Sequence, residues 1–196
     1  MRKRKIGVMV ESFRLGPKEG IVKAAELGAD GIQMYVTHGE VSPEMLDKEA
    51  RQALRKFVAD QGLVFSALCA DYGKGFLDAS RNAELVAKTK ACMDLAVDLG
   101  TNVVTTHIGK LPDSAEDPRW QAAYQACSEL AAYGDSIGVC FATETGPESP
   151  QHLYEFLAKI PSSGARVNYD PANFCMYGFD QLAGVKILKD YIVHTH

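Results

Sequence analysis

Residues 139–148 read VCFATETGPE: a β-rich, apolar run that ends in a carboxylate and turns at Gly146-Pro147. Residues 166–173, RVNYDPAN, repeat the pattern with Asp170, and residues 191–196, YIVHTH, end on His196. The intervals are constant, since 170 − 144 = 26 and 196 − 170 = 26. A strand, its helix and two short loops occupy roughly that many residues. The spacing therefore predicts one strand-end position on three successive βα units.

Strand and helix patterns alternate along the whole chain. We predict seven strands, at 6–10, 31–36, 63–69, 102–107, 139–144, 166–170 and 191–196. Such alternation indicates a parallel sheet with covering helices. An open sheet would spread the three functional strand ends along a line, whereas a barrel brings neighbouring ends to one rim. We therefore expect a single (β/α) TIM-barrel domain over residues 1–196, with seven of eight units present, so that the chain is a fragment lacking the eighth strand and helix.

Helix boundaries are predicted from capping residues. Residues 80–99 carry an apolar stripe, with Ser80 as N-cap and Gly100 at the end. A second helix is predicted to begin at Ser42-Pro43-Glu44 and to end at Gly62. Glycines recur where a helix gives way to a strand, and left-handed C-caps explain this spacing: Gly28, Gly62, Gly100, Gly138 and Gly164.

The composition excludes several classes of protein. A net charge of −4 gives no general attraction to nucleic acid or to anionic lipid, and no window has the roughly 20 apolar residues of a membrane span. The apolar stretch that follows the basic cluster at residues 2–5 is too short for a signal peptide. We interpret the cluster as a solvated start to the first strand. Five cysteines without a CxxC pair are typical of reduced core residues in a cytoplasmic protein.

Glu144, Asp170 and His196 are candidate metal ligands. Two carboxylates and an imidazole form a mixed oxygen and nitrogen site that suits Mn²⁺, Mg²⁺, Co²⁺ or Zn²⁺. For Asp170 there is an equally good alternative, because an Asp at a strand end commonly caps the following helix.

Four motifs resemble the sugar phosphate isomerase/epimerase family of xylose isomerase-like TIM barrels, which includes tagatose and psicose epimerases. They are TTHIG at 105–109, ETGPE at 144–148, DPAN at 170–173 and IVHTH at 192–196. The resemblance implies a divalent metal, often manganese, bound by Glu144, Asp170, His196 and an eighth-strand Glu beyond this chain. It also implies that Glu144 is an acid/base group. Asn173 stands where ketose epimerases have a substrate-binding His, which weakens transfer of their specificity.

We therefore expect metal-assisted isomerisation or epimerisation of a sugar-like substrate through an enediolate. His107, Glu148, Asn173 and His38 are the candidate substrate-binding residues. Family relatives also include dehydratases and hydroxypyruvate isomerases. The rival hypotheses are a phosphodiesterase like endonuclease IV, which needs more histidines and binds duplexes, and a non-catalytic fragment or binding module. The expected partner is a small molecule, without nucleic acid or membrane, and homo-oligomers are compatible with the sequence.

Overall fold

A computed structural model describes residues 4–196, which form one parallel sheet with helices along it. The sheet contains seven strands whose spatial order is their order in the chain. Each strand pairs in parallel with the next, as strand–helix–strand connections of one hand require. The strands are β1 (Gly7–Met9), β2 (Gly31–Tyr35), β3 (Val64–Cys69), β4 (Val103–Thr106), β5 (Cys140–Glu144), β6 (Ala165–Tyr169) and β7 (Ile192–Thr195). The predicted barrel fold is confirmed.

Within residues 4–196, seven α-helices connect these strands and cover the outside of the sheet. They are α1 (Pro17–Glu26), α2 (Lys48–Asp60), α3 (Ala79–Leu99), α4 (Pro118–Ile137), α5 (Pro150–Leu157), α6 (Pro171–Met176) and α7 (Gln181–Leu188), with short 3₁₀ turns at Val10–Phe13 and Gly39–Val41. The main core lies between helices and sheet. A second, small cluster is made by Ala67, Val103 and Ala142. The interior of a curled sheet has little volume, and small side chains such as these fit into it.

Two predicted helix starts are wrong. The helix placed at Ser42-Pro43-Glu44 begins at Lys48, where the Asp47 carboxylate caps it by accepting from the Ala50 amide at 2.8 Å. The backbone of residues 42–46 instead forms a turn on the Ser42 carbonyl. The third helix begins one residue before Ser80, because the Asp78 carboxylate accepts from the Ser80 amide and is the better cap.

Gly164 is not the left-handed C-cap that the sequence pattern predicts. Gly28, Gly62, Gly100 and Gly138 do have positive φ, but Gly164 is absent from that group within residues 4–196. A Cβ at Gly164 would lie 2.2 Å from the Ala131 carbonyl oxygen. Glycine is required there because the backbone approaches α4 too closely for a side chain.

Cysteine burial is only partly as predicted. Cys69, Cys92 and Cys127 are buried, whereas Cys140 is half-buried and Cys175 is exposed on α6. The prediction fails there because α6 has only six residues, and its last two, Cys175 and Met176, are exposed to solvent.

The basic cluster falls partly outside the described residues. Arg2 and Lys3 lie outside them, while Arg4 and Lys5 are exposed just before β1. Within residues 4–196, no helix combines the length and the apolar character that crossing a bilayer would need.

Candidate active site

The carboxyl ends of β5, β6 and β7 bring Glu144, Asp170 and His196 together. Each of the three offers one ligand atom, and these atoms all lie within 4.8 Å of one another. His196 Nδ1 and Glu144 Oε2 are 3.4 Å apart. Neighbouring parallel strands end at one edge, so residues far apart in sequence converge there. The equal spacing in the sequence thus corresponds to one cluster in space, which we call the triad.

A row of side chains holds Glu144. The sheet register places Asn168 of β6 between Glu144 and His194, and Asn168 Nδ2 donates to Glu144 Oε2. His194 Nδ1 lies 2.9 Å from Asn168 Oδ1. Burial lowers the pKa of His194 to about 4, so its ring is neutral at neutral pH and donates from Nδ1. Glu144 itself is only 6% exposed. Its carboxylate is therefore held firmly in an environment that contains little water.

Asp170 has both roles that its sequence context suggests. Its Oδ1 accepts from the Ala172 and Asn173 amides at 2.7 and 3.2 Å and so caps α6. Within residues 4–196, no hydrogen bond engages Oδ2, which leaves that oxygen for a ligand. Helix capping and membership of the triad are therefore compatible, because Oδ1 caps the helix and Oδ2 is left to bind a ligand.

Thr145, which the sequence analysis missed, ties two strand ends of the triad together. Its hydroxyl accepts from the Asp170 amide at 2.8 Å and donates to the Asp170 carbonyl at 3.1 Å. Asn173 Nδ2 in turn donates to the Thr145 carbonyl at 3.0 Å and lies 3.5 Å from Glu144 Oε1. Asn173 therefore lies beside the triad, at the site predicted to contact substrate.

His196 is the most exposed member of the triad. Its side chain is 33% exposed, and its Nε2 lies 2.8 Å from Gln33 Oε1 on β2, on the other side of the barrel. The hydrogen bond to Glu144 raises the pKa of His196. Gln33 gave no signal in the sequence, because its contact with His196 spans 163 positions.

A second polar pair lies on the β3–β4 side of the same cleft. His107 Nδ1 and Asp71 Oδ2 are 2.9 Å apart. This hydrogen bond raises the pKa of His107 against the opposing effect of burial. Burial alone would raise the pKa of Asp71, but the bonds from His107 and from the Gly73 amide outweigh it, and the pKa is lowered. Asp71 was also missed, because its partner lies 36 positions away.

The cleft between these two sides has a volume of about 260 Å³, slightly below the usual range for ligand pockets of about 300–1,000 Å³. A larger cavity of about 450 Å³ opens between β1 and β7 and shares Met9 and His196 with the cleft. The residues lining the cleft include the triad, His107 and Asn173, together with Met9, Tyr35, Cys69, Thr105 and Thr106.

Glu148 and His38 are not brought to this lining. Glu148 is 5% exposed, and within the described chain its Oε2 has no hydrogen-bond partner. Burial raises the pKa of Glu148 to about 7, against the opposing charges of His107 and Lys110. His38 is exposed and contacts the Thr37 hydroxyl at 3.0 Å. Glu148 is thus electrostatically coupled to the site, whereas His38 is outside it.

Comparison with known proteins gives one family match. Residues 21–196 match the model of the xylose isomerase-like TIM barrel family. No curated protein matches the sequence significantly.

Solved structures share the fold at low identity. The xylose isomerase domain protein from Planctomyces limnophilus is 22% identical, with a TM-score of 0.82 over 100% of this chain and 74% of its own. A protein described as the probable 3-DHS dehydratase AsbF from Bacillus anthracis is 19% identical, with a TM-score of 0.82, and 98% of this chain covers 72% of it. The D-psicose 3-epimerase from Clostridium cellulolyticum H10 is 13% identical, with the same TM-score and coverage.

Proposed function

We propose that this chain, which belongs to the xylose isomerase-like TIM barrel family, is a divalent-metal-dependent isomerase or epimerase. Its substrate would be a sugar or a small polyhydroxy carbonyl compound. The observation that carries the proposal is the triad: two carboxylates and an imidazole whose ligand atoms lie within 4.8 Å, beside a small polar cleft.

The triad fits a divalent cation by its chemistry and its spacing. Donors that bind one ion at about 2.1 Å stand at most about 4.2 Å apart, so shifts of a few tenths of an ångström bring all three into range. Asp170 has a carboxylate oxygen to spare, and Glu144 is held by Asn168. Mixed carboxylate and imidazole ligands suit Mn²⁺, Mg²⁺, Co²⁺ and Zn²⁺ alike. We propose Mn²⁺ because the family resemblance implies it. A cation bound there would supply a Lewis acid that polarises the substrate carbonyl.

Glu144 is the proposed proton carrier. The carbon–hydrogen bond next to the carbonyl breaks, and its proton moves to a Glu144 oxygen. The bonding pair forms the carbon–carbon double bond of an enediolate, while the carbonyl π pair moves to oxygen. Return of the proton to the neighbouring carbon, while the hydroxyl proton moves to the former carbonyl oxygen, gives isomerisation. An epimer forms when a second acid delivers a proton to the other face of the same carbon, a role that the family resemblance gives to an eighth-strand Glu. Asn168 keeps the carboxylate oriented throughout.

His107 and Asn173 are the proposed substrate contacts. Asp71 holds His107 through Nδ1, so the second ring nitrogen is free to bind a substrate oxygen from the side of the cleft opposite the triad. Asn173 would donate to a substrate hydroxyl beside Glu144. Glu148 lies outside the lining and would affect substrate binding through the charge of its partly protonated carboxyl group. We assign no role to His38.

We propose a small-molecule partner and a cytoplasmic location for this chain. A small substrate suits a cleft of about 260 Å³, and a net charge of −4 argues against a nucleic-acid substrate. The endonuclease-like alternative needs a multi-metal cluster, and residues 4–196 contain a single three-ligand group. Unpaired cysteines favour the cytoplasm. Self-association is compatible with the exposed apolar residues on α6 and α7, such as Met176 and Leu182.

Hydrogen exchange with solvent tests the reaction directly. The chain is freed of metal, reloaded with Mn²⁺ and incubated in D₂O with a panel of aldoses, ketoses, their phosphates and small keto acids. Deuterium in a carbon position next to a carbonyl, read by NMR, is the expected result, and Glu144→Gln abolishes it. Loss of water without exchange would indicate a dehydratase. A metal-loaded chain that exchanges no proton across the panel would contradict the proposal.

A further inference from the structure

Gln33 connects the triad to the opposite side of the barrel. It lies on β2, is 3% exposed, and places Oε1 2.8 Å from His196 Nε2. Its other amide atom, Nε2, lies 2.8 Å from the Thr105 hydroxyl on β4. The two partners do not fix the orientation of this amide by themselves, because a hydroxyl and an imidazole nitrogen can each donate or accept, so a third contact has to set the direction.

The direction of this chain of hydrogen bonds follows from its far end. The Thr105 hydroxyl is 3.4 Å from the Leu68 carbonyl, which can only accept, so its single proton points there. Towards Gln33 the hydroxyl therefore accepts, and the Gln33 amide nitrogen donates. The Gln33 carbonyl oxygen is left to face His196 and must accept a proton from Nε2.

We infer that Gln33 and Thr105 are positioning residues that hold His196 as its Nε2–H tautomer and leave the Nδ1 lone pair for the cation. This inference rests on the proposed metal site. His196 Nδ1 is the ring nitrogen that lies 3.4 Å from Glu144 Oε2, on the side where the ligands converge. Asn168 Nδ2 is 3.3 and 3.4 Å from the two ring nitrogens and does not distinguish them.

The opposite tautomer would gain only the contact of Nδ1 with Glu144 Oε2, which at 3.4 Å is longer than the 2.8 Å contact of Nε2 with Gln33 Oε1. A proton on Nδ1 would turn the Nε2 lone pair towards Gln33 Oε1, so that two acceptors would face each other beside buried groups. It would also remove the lone pair that a cation needs. A ligating histidine commonly donates its other N–H to a fixed acceptor, and losing that acceptor typically weakens metal binding about 10- to 100-fold.

Metal affinity in matched variants tests the inference. Mn²⁺ alone is titrated into the metal-free chain and its Gln33→Leu, Thr105→Val and Thr89→Val forms, with circular dichroism as a check on folding. Thr89 is the control because it is a buried threonine on α3, away from the cleft, whose hydroxyl donates to the Leu85 carbonyl. We expect Gln33→Leu to weaken Mn²⁺ binding about 10- to 100-fold and Thr105→Val to weaken it less. Thr89→Val should bind as the parent does.

A second readout reports the tautomer without metal. In ¹⁵N NMR of the ring nitrogens at a pH above the pKa of His196, the parent should show a protonated Nε2 and an unprotonated Nδ1. Thr105→Val should mix the two forms, even if Gln33→Leu does not fold. Unchanged Mn²⁺ affinity in both variants, or an Nδ1–H parent, would overturn the inference while the metal site stands. A parent that binds no Mn²⁺ would overturn the proposed function and this inference with it.

Discussion

The two sides of the cleft carry similar groups but hold them differently. On the β5–β7 side, Glu144 is 6% exposed and its neighbours Asn168 and Thr145 tie three strand ends together. On the β3–β4 side, the His107 side chain is 52% exposed and is tethered by one hydrogen bond to Asp71. Rigid, closely spaced ligands suit the holding of a cation, whereas a tethered imidazole suits contact with a changing substrate. The difference favours metal binding on the β5–β7 side, where Glu144 is also the proposed proton carrier, and substrate contact by His107 on the β3–β4 side.

The largest expected effect comes from removing a negative charge from the triad, on the β5–β7 side. Asp170→Asn keeps a good N-cap for α6 but supplies a neutral, weaker ligand. We expect Mn²⁺ affinity to fall at least about 100-fold, with proton exchange lost in parallel, while the free energy of unfolding changes by less than about 1 kcal/mol.

Asp180→Asn is the matched control for this change. Asp180 caps α7 in the same way, accepting from the Leu182 and Ala183 amides at 2.8 and 3.0 Å, but it is not part of the triad. Both variants should unfold alike, and only Asp170→Asn should lose the metal. Equal Mn²⁺ affinities in the two variants would contradict metal binding by Asp170 on the β5–β7 side.

A smaller and different effect is expected on the substrate side. His107→Asn should reduce kcat/KM for proton exchange about 10- to 100-fold, because it removes a hydrogen bond to a substrate oxygen. Its Mn²⁺ affinity should stay within about threefold of the parent, because His107 lies outside the triad. Calorimetric titration and the exchange assay separate the two readouts, and His38→Asn, on an exposed residue, should change neither. A loss of Mn²⁺ binding in His107→Asn would instead make His107 a ligand.

The Asp71 tether predicts a shift in pH dependence. The hydrogen bond to Asp71 raises the pKa of His107. If the imidazolium is the active form, activity falls as pH rises through that pKa. Asp71→Asn removes the negative charge and lowers the pKa of His107, so the basic limb of kcat/KM should move to lower pH. A profile measured on the Mn²⁺-loaded chain that does not move would show that His107 acts without its charge.

The last prediction concerns Glu148 and affects the free energy of unfolding, with the smallest expected effect on the cleft. Burial raises its pKa from the ordinary value of 4.5 to about 7, so the folded chain keeps a proton that the unfolded chain releases. Stability should therefore fall as pH rises from about 4.5 to about 7, by an amount on the order of 3 kcal/mol. Glu148→Gln cannot titrate, so relative to the parent it should gain stability between pH 5 and pH 8. Urea unfolding at the two pH values checks this, and parallel curves would mean that Glu148 is ionised in the fold.

The sequence was sufficient for the parts of the site that have a local signature. Strand ends at Glu144, Asp170 and His196 follow from apolar runs and from their spacing, and the barrel follows from strand alternation. Gln33, Asp71 and Thr145 could not be predicted, because their partners are set by the curvature of the sheet and by its register. The start of α2 was wrong because Ser42-Pro43 forms a turn, and Asp47, five residues after Ser42, caps the helix.

The most direct test of the central claim is anomalous diffraction at the manganese edge from crystals of the chain soaked in Mn²⁺. We expect one strong peak at about 2.1–2.4 Å from oxygens of Glu144 and Asp170 and from His196 Nδ1. A chain that leaves this position without a peak, or that binds Mn²⁺ only elsewhere, would contradict it.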